Sequence, residues 1–402
     1  MARVPRYQIR IGDYTVEEVG TISLRFSMRE LADSFTATIN DRVRVDAGDR
    51  VEVSVEGVTR LVGEIQNVRL MKQPGTRDLT ITGFSASQRL VKSSALVERR
   101  TIRNRSLRQI VEQIVEPYGL VVDVSESGIE VADEVMDRVR VGPGQTAWAF
   151  LKDVAKRQGC ILVSGAASVT EGRAAKSSVR ITRVAVRKSP IPVVAPAARV
   201  LSIEFEDDVR DVHSEYFVNR KGRGQRDPED GGLKGLDGRA TDERVLYSPI
   251  IIQAQAGGRG QAALDRQAEW EMRRRAAEGQ RVTINIDGWS PNYSRALWWP
   301  NTLYRVVDTD EQYDEDLVLA SVELGSSTGD GAVARLEFLP PDAYAILKTN
   351  KITKGSRRGY RTNKEWLAQN SQLVSQIDLA SDTVDFDEEE LELYFTPEDP
   401  DA

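Results

Sequence analysis

Val51-Glu52-Val53-Ser54-Val55, followed after a turn at Gly57 by Leu61-Val62-Gly63-Glu64-Ile65, decides the fold class. Apolar residues alternate with polar ones, the period of a strand with one buried and one wet face. The same alternation runs upstream through Tyr7, Ile9 and Ile11, through Ile22-Ser23-Leu24-Arg25-Phe26 and through Phe35-Thr36-Ala37-Thr38-Ile39. It returns downstream in Leu79-Thr80-Ile81-Thr82. Gly12-Asp13, Ala47-Gly48-Asp49, Gly57 and Pro74-Gly75 mark the turns between these runs. Six short strands at this spacing predict a small antiparallel barrel or sandwich. Its edges must be closed or paired with a neighbouring subunit.

Beyond residue 97 the period changes. Leu107, Ile110, Val111, Ile114 and Val115 lie on one helical face, with Ser106 as N-cap and Pro117 and Gly119 as stops. Leu120-Val121-Val122 reads as a strand. A second helix starts after Thr146, carries Trp148, Leu151, Val154 and Ala155 on one face, and closes at Gly159. Cys160-Ile161-Leu162-Val163 follows as a strand, and the Pro/Ala-rich run 190–198 ends this α/β module. Strand patterning resumes at Val200–Phe205 and recurs at Val282–Ile286, Leu303–Val307, Leu317–Val322 and Ala334–Phe338. A Gly-rich loop (Lys221–Arg239) and a helix (Gln261–Glu278) interrupt this second β-unit. After Lys348 a basic stretch gives way to an acidic one, with no Lys or Arg between Asp378 and Asp401.

Composition narrows the function. Of 402 residues, 40% are hydrophobic and 29% charged, enough apolar material for sizeable cores in two to three domains. The net charge of −7 argues against a protein that works by neutralising phosphates. No apolar run is long enough to span a membrane, and Met1–Tyr14 lacks the apolar core of a secretory signal. One cysteine, Cys160, and one histidine, His213, rule out an internal disulfide and His-pair zinc sites.

The candidate chemistry is thin. Gly222-Arg223-Gly224 and Gly329-Asp330-Gly331 lack the Lys-Ser/Thr ending of a phosphate cradle and read as surface loops. Two carboxylate clusters, Glu204/Glu206/Asp207/Asp208 and Asp308/Asp310/Glu311/Asp314/Glu315/Asp316, could supply the acid and base of a glycan hydrolase. Solvated turns account for them more simply, and the second cluster lacks the spacing of a calcium loop. His213 lies between Asp211 and Glu215 but has no nucleophile elbow to serve, and Cys160 reads as a small buried hydrophobe. Trp289, Tyr293, Trp298 and Trp299 could stack on sugars, although a core or interface role fits better. Arg273-Arg274-Arg275 reads as a solvated helix turn or a patch for an acidic partner, even the acidic tail. No catalytic, cofactor-binding or metal-ligating residue is assigned.

Several segments together resemble one family. Gly48-Asp49-Arg50-Val51-Glu52-Val53, Leu61–Ile65, Leu79–Ala86 (ending Gly83-Phe84-Ser85-Ala86) and Leu90-Val91-Lys92-Ser93-Ser94 follow the order of the first tube-like domain of phage baseplate hub proteins. Trp298–Asp308 and Arg335–Tyr344 look like the closing region of the Mu-like hubs. The helices after Ser106 and at Gln145-Thr146-Ala147-Trp148 fall where that family carries its α/β module. The resemblance covers residues 5–345 and is to the baseplate hubs of Mu-like contractile-tailed bacteriophages, relatives of the T-even phage hub and the late control protein D family.

It implies a β-rich α+β protein with a first tube-like β-barrel at 1–97 and an α/β module at 98–200. A second tube-like barrel follows at 201–345, with an inserted loop and helix at about 219–280, and a C-terminal arm at 346–402. It further implies a homotrimeric structural ring, without cofactor, joining a hexameric tail tube to a trimeric central spike. Wedge and tape-measure proteins would be further contacts. The protein would be assembled in the host cytoplasm and reside in the virion tail baseplate. DNA would pass through the lumen without specific binding, past acids contributed by both β-units. The resemblance stops short of the arm, where Leu391, Leu393, Tyr394 and Phe395 could order on a neighbouring baseplate component or belong to a solvating tail. Three other readings stay open: the hub of a non-phage contractile injection system, a glycan-processing cell-envelope enzyme, and a polysaccharide-binding module built on Trp289, Trp298 and Trp299.

Overall fold

The computed structural model describes residues 6–74, 76–167, 175–185, 187–196, 199–219, 236–253, 261–291, 297–327 and 331–344. The expected arm at 346–402, the Gly222 loop and Tyr293 lie outside the described residues.

The first unit contains β1 (Tyr7–Ile11), β2 (Tyr14–Thr15), β3 (Val19–Ser27), β4 (Ser34–Ile39), β5 (Arg50–Val55), β6 (Val58–Gln73) and β7 (Thr76–Ser85). They pair antiparallel in the order β3-β4-β7-β6-β5-β1-β2. The alternation read from the sequence is the burial pattern: Val51, Val53 and Val55 are fully buried, and Glu52 and Ser54 are half-exposed between them. Gly63 and Gly83 have a packing reason. A Cβ on Gly63 would lie 1.9 Å from the Phe84 carbonyl oxygen, and one on Gly83 would lie 2.4 Å from the Phe35 ring. Only glycine lets β6, β7 and the Phe35 ring approach so closely.

The middle module holds α1 (Gln88–Lys92), β8 (Thr101–Ser106), α2 (Leu107–Val115), β9 (Val121–Val124), α3 (Ile129–Ala132), β10 (Val135–Arg140), α4 (Ala147–Gln158), β11 (Ile161–Ala167) and β12 (Lys176–Thr182). The expected caps are present. Ser106 accepts from the Gln109 N–H while the Gln109 side chain accepts from the Ser106 N–H, and Thr146 accepts from the Ala149 N–H. Gly159 closes α4 in the left-handed region, at φ +83°. The helices cover a sheet in the order β11-β12-β9, with β9 and β12 parallel. Sequence reading missed the β8–β10 ribbon and β12, whose Arg- and Ser-rich strands carry little alternation.

The second unit contains β13 (Arg187–Lys188), β14 (Val193–Ala195) and β15 (Val200–Asp207). The inserted β16 (Glu215–Asn219), β17 (Leu236–Thr241), β18 (Pro249–Gln253) and α5 (Gln261–Gly279) come next. It ends with β19 (Gln280–Asp287), β20 (Thr302–Asp308), β21 (Tyr313–Ser327), β22 (Gly331–Leu339) and the single turn Pro341–Tyr344. Because β13 and β14 pair with β20, its sheet begins before residue 200, earlier than the boundary read from the Pro/Ala run. The insertion is also more than a loop and helix. β17, β16 and β18 form a separate small sheet under α5, with a core of Tyr216, Val218, Leu264 and Ala268.

Candidate functional site

The two β-units meet as one sheet. β3 pairs antiparallel with β21 from Thr21↔Ser327 to Ser27↔Ser321, so the strand order runs β15-β19-β22-β21-β3-β4-β7-β6-β5-β1-β2 without a break. β21 can do this because it is long. Its first part pairs with β20, and its remainder is held between β22 and β3. Buried residues from both units form one continuous apolar core. Aromatics cross the joint. Trp289 stacks on Tyr7 at 5.8 Å between ring centroids and donates its indole N–H to the Gly325 carbonyl at 2.9 Å. Trp299 tilts against Phe26 at 4.8 Å, with the Arg60 guanidinium 5.2 Å from its ring centroid. Burial alone lowers the Arg60 pKa to about 10.

A second joint ties the first unit to the α/β module through polar groups. Ser85 ends β7, Ser87 lies in the following turn and Ser164 sits on β11, all three buried. Their hydroxyls lie 2.7 Å (Ser85–Ser87), 3.2 Å (Ser87–Ser164) and 3.3 Å (Ser164–Ser85) apart, and Ser87 donates to the Leu31 carbonyl. Asp33 is enclosed beside them, its N–H donating to the Ser85 hydroxyl. Burial pushes the Asp33 carboxyl up to about 7, against hydrogen bonds from the Ser164 hydroxyl and the Ser27 N–H that favour the charged form. Sequence reading did not find this knot, because Asp33 and Ser164 lie far in the chain from Ser85 and Ser87 and each residue is unremarkable singly.

Six of the ten carboxylates singled out in the sequence have structural partners. Glu206 pairs with Arg281 at 3.2 Å on β15, and Arg210 grips Asp208, holding that carboxyl well below the usual range. Glu204, Glu206 and Asp207 lie exposed on β15, a strand at the end of the sheet path. In the other cluster, buried Asp308 accepts from the N–H groups of Asp310 and Glu311 and shapes the β20–β21 turn. Arg305 binds Asp314 in fork geometry, Lys188 reaches Asp316 at 2.7 Å, and Tyr313 donates to Glu315. Among the described residues no group of His, Cys, Asp and Glu is arranged to hold a metal.

Trp289 and Trp298 are 1% exposed and belong to the core, so neither presents a face to a sugar. His213 lies 3.1 Å from the Ser248 hydroxyl through Nδ1, and its backbone N–H donates to the Tyr216 hydroxyl. The neighbouring Glu215 is engaged by Arg239. Cys160 is 2% exposed and burial pushes its thiol pKa up, which suits an unreactive packing residue. Of the two readings of Arg273-Arg274-Arg275, a solvated helix turn or a patch for an acidic partner, the second is not supported, because the run is neutralised within α5. Arg273 meets Glu269, Arg274 meets Glu271 and Glu278, and Arg275 approaches Glu271 at 3.7 Å. The i, i+3 and i, i+4 spacing makes this pairing local to one helix.

Two kinds of open surface remain. One face of the joined sheet is polar. Thr21, Ser23, Thr36, Thr38, Thr80 and Thr82 line it over the first unit, with Thr21–Thr38 and Thr36–Thr82 hydroxyl contacts at 3.1 and 3.3 Å. Arg25, Glu323 and Arg335 continue one cross-strand row of it through the joint. The other surface is apolar and exposed: Leu70 and Met71 on the β6–β7 hairpin, Leu246 and Tyr247 in the β17–β18 connection, and Ile251 on β18.

The described residues thus build a fused pair of β-units with a shared dry interior, a polar sheet face and exposed apolar residues. Residues 87–168 match the family "baseplate hub protein gp44-like, second domain", and residues 260–347 match "Mu phage baseplate assembly protein GpP, fourth domain". Over 339 residues the chain is 24% identical to the baseplate hub protein gp44 of Escherichia phage Mu, covering 81% of this chain and 85% of that protein. Its fold is shared with the 43 kDa tail protein of prophage MuSo2 from Shewanella oneidensis (TM-score 0.69, 19% identity, 85% of this chain and 99% of that one). It is shared also with a tail protein from Neisseria meningitidis MC58 (TM-score 0.67, 20% identity, 85% and 99%). The chain thus resembles the Mu-like phage baseplate hub proteins over most of its length.

Proposed function

We propose that this chain is the structural subunit of a trimeric hub ring that joins a hexameric tail tube to a trimeric spike in a contractile-tail baseplate. The observation that carries the reading is the β3–β21 ladder, which places two β-units of comparable strand content side by side in one sheet. Three copies then offer six such units, and a heterologous contact between chains closes the ring. Each unit acts as a tube-like barrel, while the α/β module and the α5 insertion brace them from outside.

The sheet's ends supply the contact between chains. The end strand β15 exposes Leu201 beside Glu204 and Glu206, an apolar contact guarded by charge against indiscriminate strand pairing. Leu70 and Met71 on the β6–β7 hairpin seat on the neighbouring layer. In this reading the polar sheet face lines the bore, in place of a lining of acids. Hydroxyls and alternating Arg25, Glu323 and Arg335 present little net charge. Such a surface neither captures phosphates by counterion release nor strongly repels a duplex. The protein accordingly works in the virion after assembly in the host cytoplasm, with tube, spike, wedge and tape-measure proteins as partners and without a cofactor or catalytic step. Light scattering on the purified protein tests the reading. A mass three times the 44.8 kDa chain is expected, and a monomer at micromolar concentration contradicts it.

A further inference from the structure

The β8–β10 ribbon carries arginines that the rest of the described molecule leaves unanswered. Arg103 and Arg138 stand directly opposite each other in its register, with Ile102 and Val139 buried on the other side. Arg105 and Arg140 extend the row, Arg100 precedes it, and all five are exposed. None of the five side chains makes an ion pair or hydrogen bond among the described residues. Other arginines of the same module do find carboxylates: Arg89 meets Glu64, Arg108 meets Asp133 and Arg180 meets Asp123. Like charges directly opposed across a strand pair weaken it, and among the described side chains none supplies the counter-charge to these five.

The sequence holds that counter-charge. Asp378–Ala402 contains eleven of the 62 acids and none of the 55 basic residues, leaving 51 acids against 55 basic residues elsewhere, a net of +4. The acidity of the chain therefore comes from its last segment. The described chain ends at Tyr344 beside α5, whose Trp270 lies under Lys156 of α4, in the same module as the ribbon. Thirty-seven residues separate Tyr344 from Asp382. At ~3.3 Å per extended residue that connection reaches on the order of 120 Å.

We propose that the β8–β10 arginine ribbon is the docking site of this protein's own acidic segment, residues 382–392. Asp385, Asp387, Glu388, Glu389, Glu390 and Glu392 supply more carboxylates than the five guanidinium groups need. Arg–carboxylate forks give such a contact both strength and register. Exposed Val135 at the end of the ribbon offers an apolar foothold for Leu391 or Leu393. The ribbon could meet duplex phosphates by the same charge, but the tethered segment is always present at high effective concentration. The inference does not depend on the hub reading.

Disulfide trapping in the full-length chain tests it. Val135→Cys is combined with Leu391→Cys and compared with Val58→Cys combined with Leu391→Cys, Val58 lying on the first β-unit. The native Cys160, at 2% exposure, stays out of the reaction. The 135–391 bond should form about tenfold faster than the 58–391 bond. The advantage should vanish when Arg103→Ser and Arg138→Ser are added, and should shrink in high salt. A product of one chain or of two identifies which copy supplies the segment. Equal rates for the two pairs, or a rate indifferent to the arginine changes, overturn the proposal. So does a generic DNA duplex that binds the full-length protein through Arg103 and Arg138 and abolishes the cross-link, which would assign the ribbon to nucleic acid.

Discussion

The first β-unit is held on two sides by joints of opposite character. Toward the second unit it uses a backbone ladder, β3 on β21, sealed by Trp289 on Tyr7 and Trp299 on Phe26. Toward the α/β module it uses a buried polar knot of Asp33, Ser85, Ser87 and Ser164. The ladder joint draws on apolar burial and paired main-chain groups, neither of which titrates near neutrality. The knot draws on hydrogen bonds around a carboxyl whose charge is unwelcome where it lies. One joint is insensitive to pH and the other responds to it, so the units should hold together while the module loosens first.

The largest effect expected from breaking this contrast is at the ladder. Trp289→Ala removes a wholly buried indole and its bond to Gly325, and should cost about 3–5 kcal/mol. Thermal unfolding should show both β-units losing stability together, since their core is shared. At the knot, Asp33→Asn should abolish a pH dependence. The folded state raises the Asp33 pKa from 3.8 to about 7, so between these values it retains a proton that the unfolded chain releases. Wild-type stability therefore falls as pH rises from about 4 to 7 and stays at the lower level above that. The amide variant should lack that fall and gain on wild type by on the order of 2–4 kcal/mol between pH 4 and 8, read from urea titrations. Ser164→Ala keeps the carboxyl but removes one of its donors. It should cost about 1–2 kcal/mol near neutral pH and carry the decline to higher pH. Smallest is Ser106→Ala, away from both joints, where loss of the α2 capping box should cost about 1 kcal/mol without altering the pH profile.

These joints mark the limit of what the sequence discloses. The alternations at Val51–Val55 and Leu79–Thr82 lie within β5 and β7, and Ser106 and Thr146 cap their helices as read. Local rules suffice there because period and cap chemistry act over a few residues. The β3–β21 ladder joins residues some 300 positions apart, and alternation in each strand says nothing about which edge meets which. The Ser–Asp knot was invisible for the same reason. The inserted strands β16–β18 were missed because they are short and because β17 (Leu236–Thr241) and β18 (Pro249–Gln253) carry little apolar–polar alternation. The arginine run on α5 stayed open between a solvated turn and a patch because its answering Glu269, Glu271 and Glu278, within about one helix turn of it, were not weighed.

In the proposed trimer, two β-units fused edge to edge would let a threefold assembly present sixfold packing. Rotationally averaged electron micrographs of the purified oligomer, viewed down its axis, test this most directly. Six peripheral lobes of similar size around an open bore, with threefold symmetry in the outer modules, are the expected picture. Three lobes, or a particle without a bore, would contradict it.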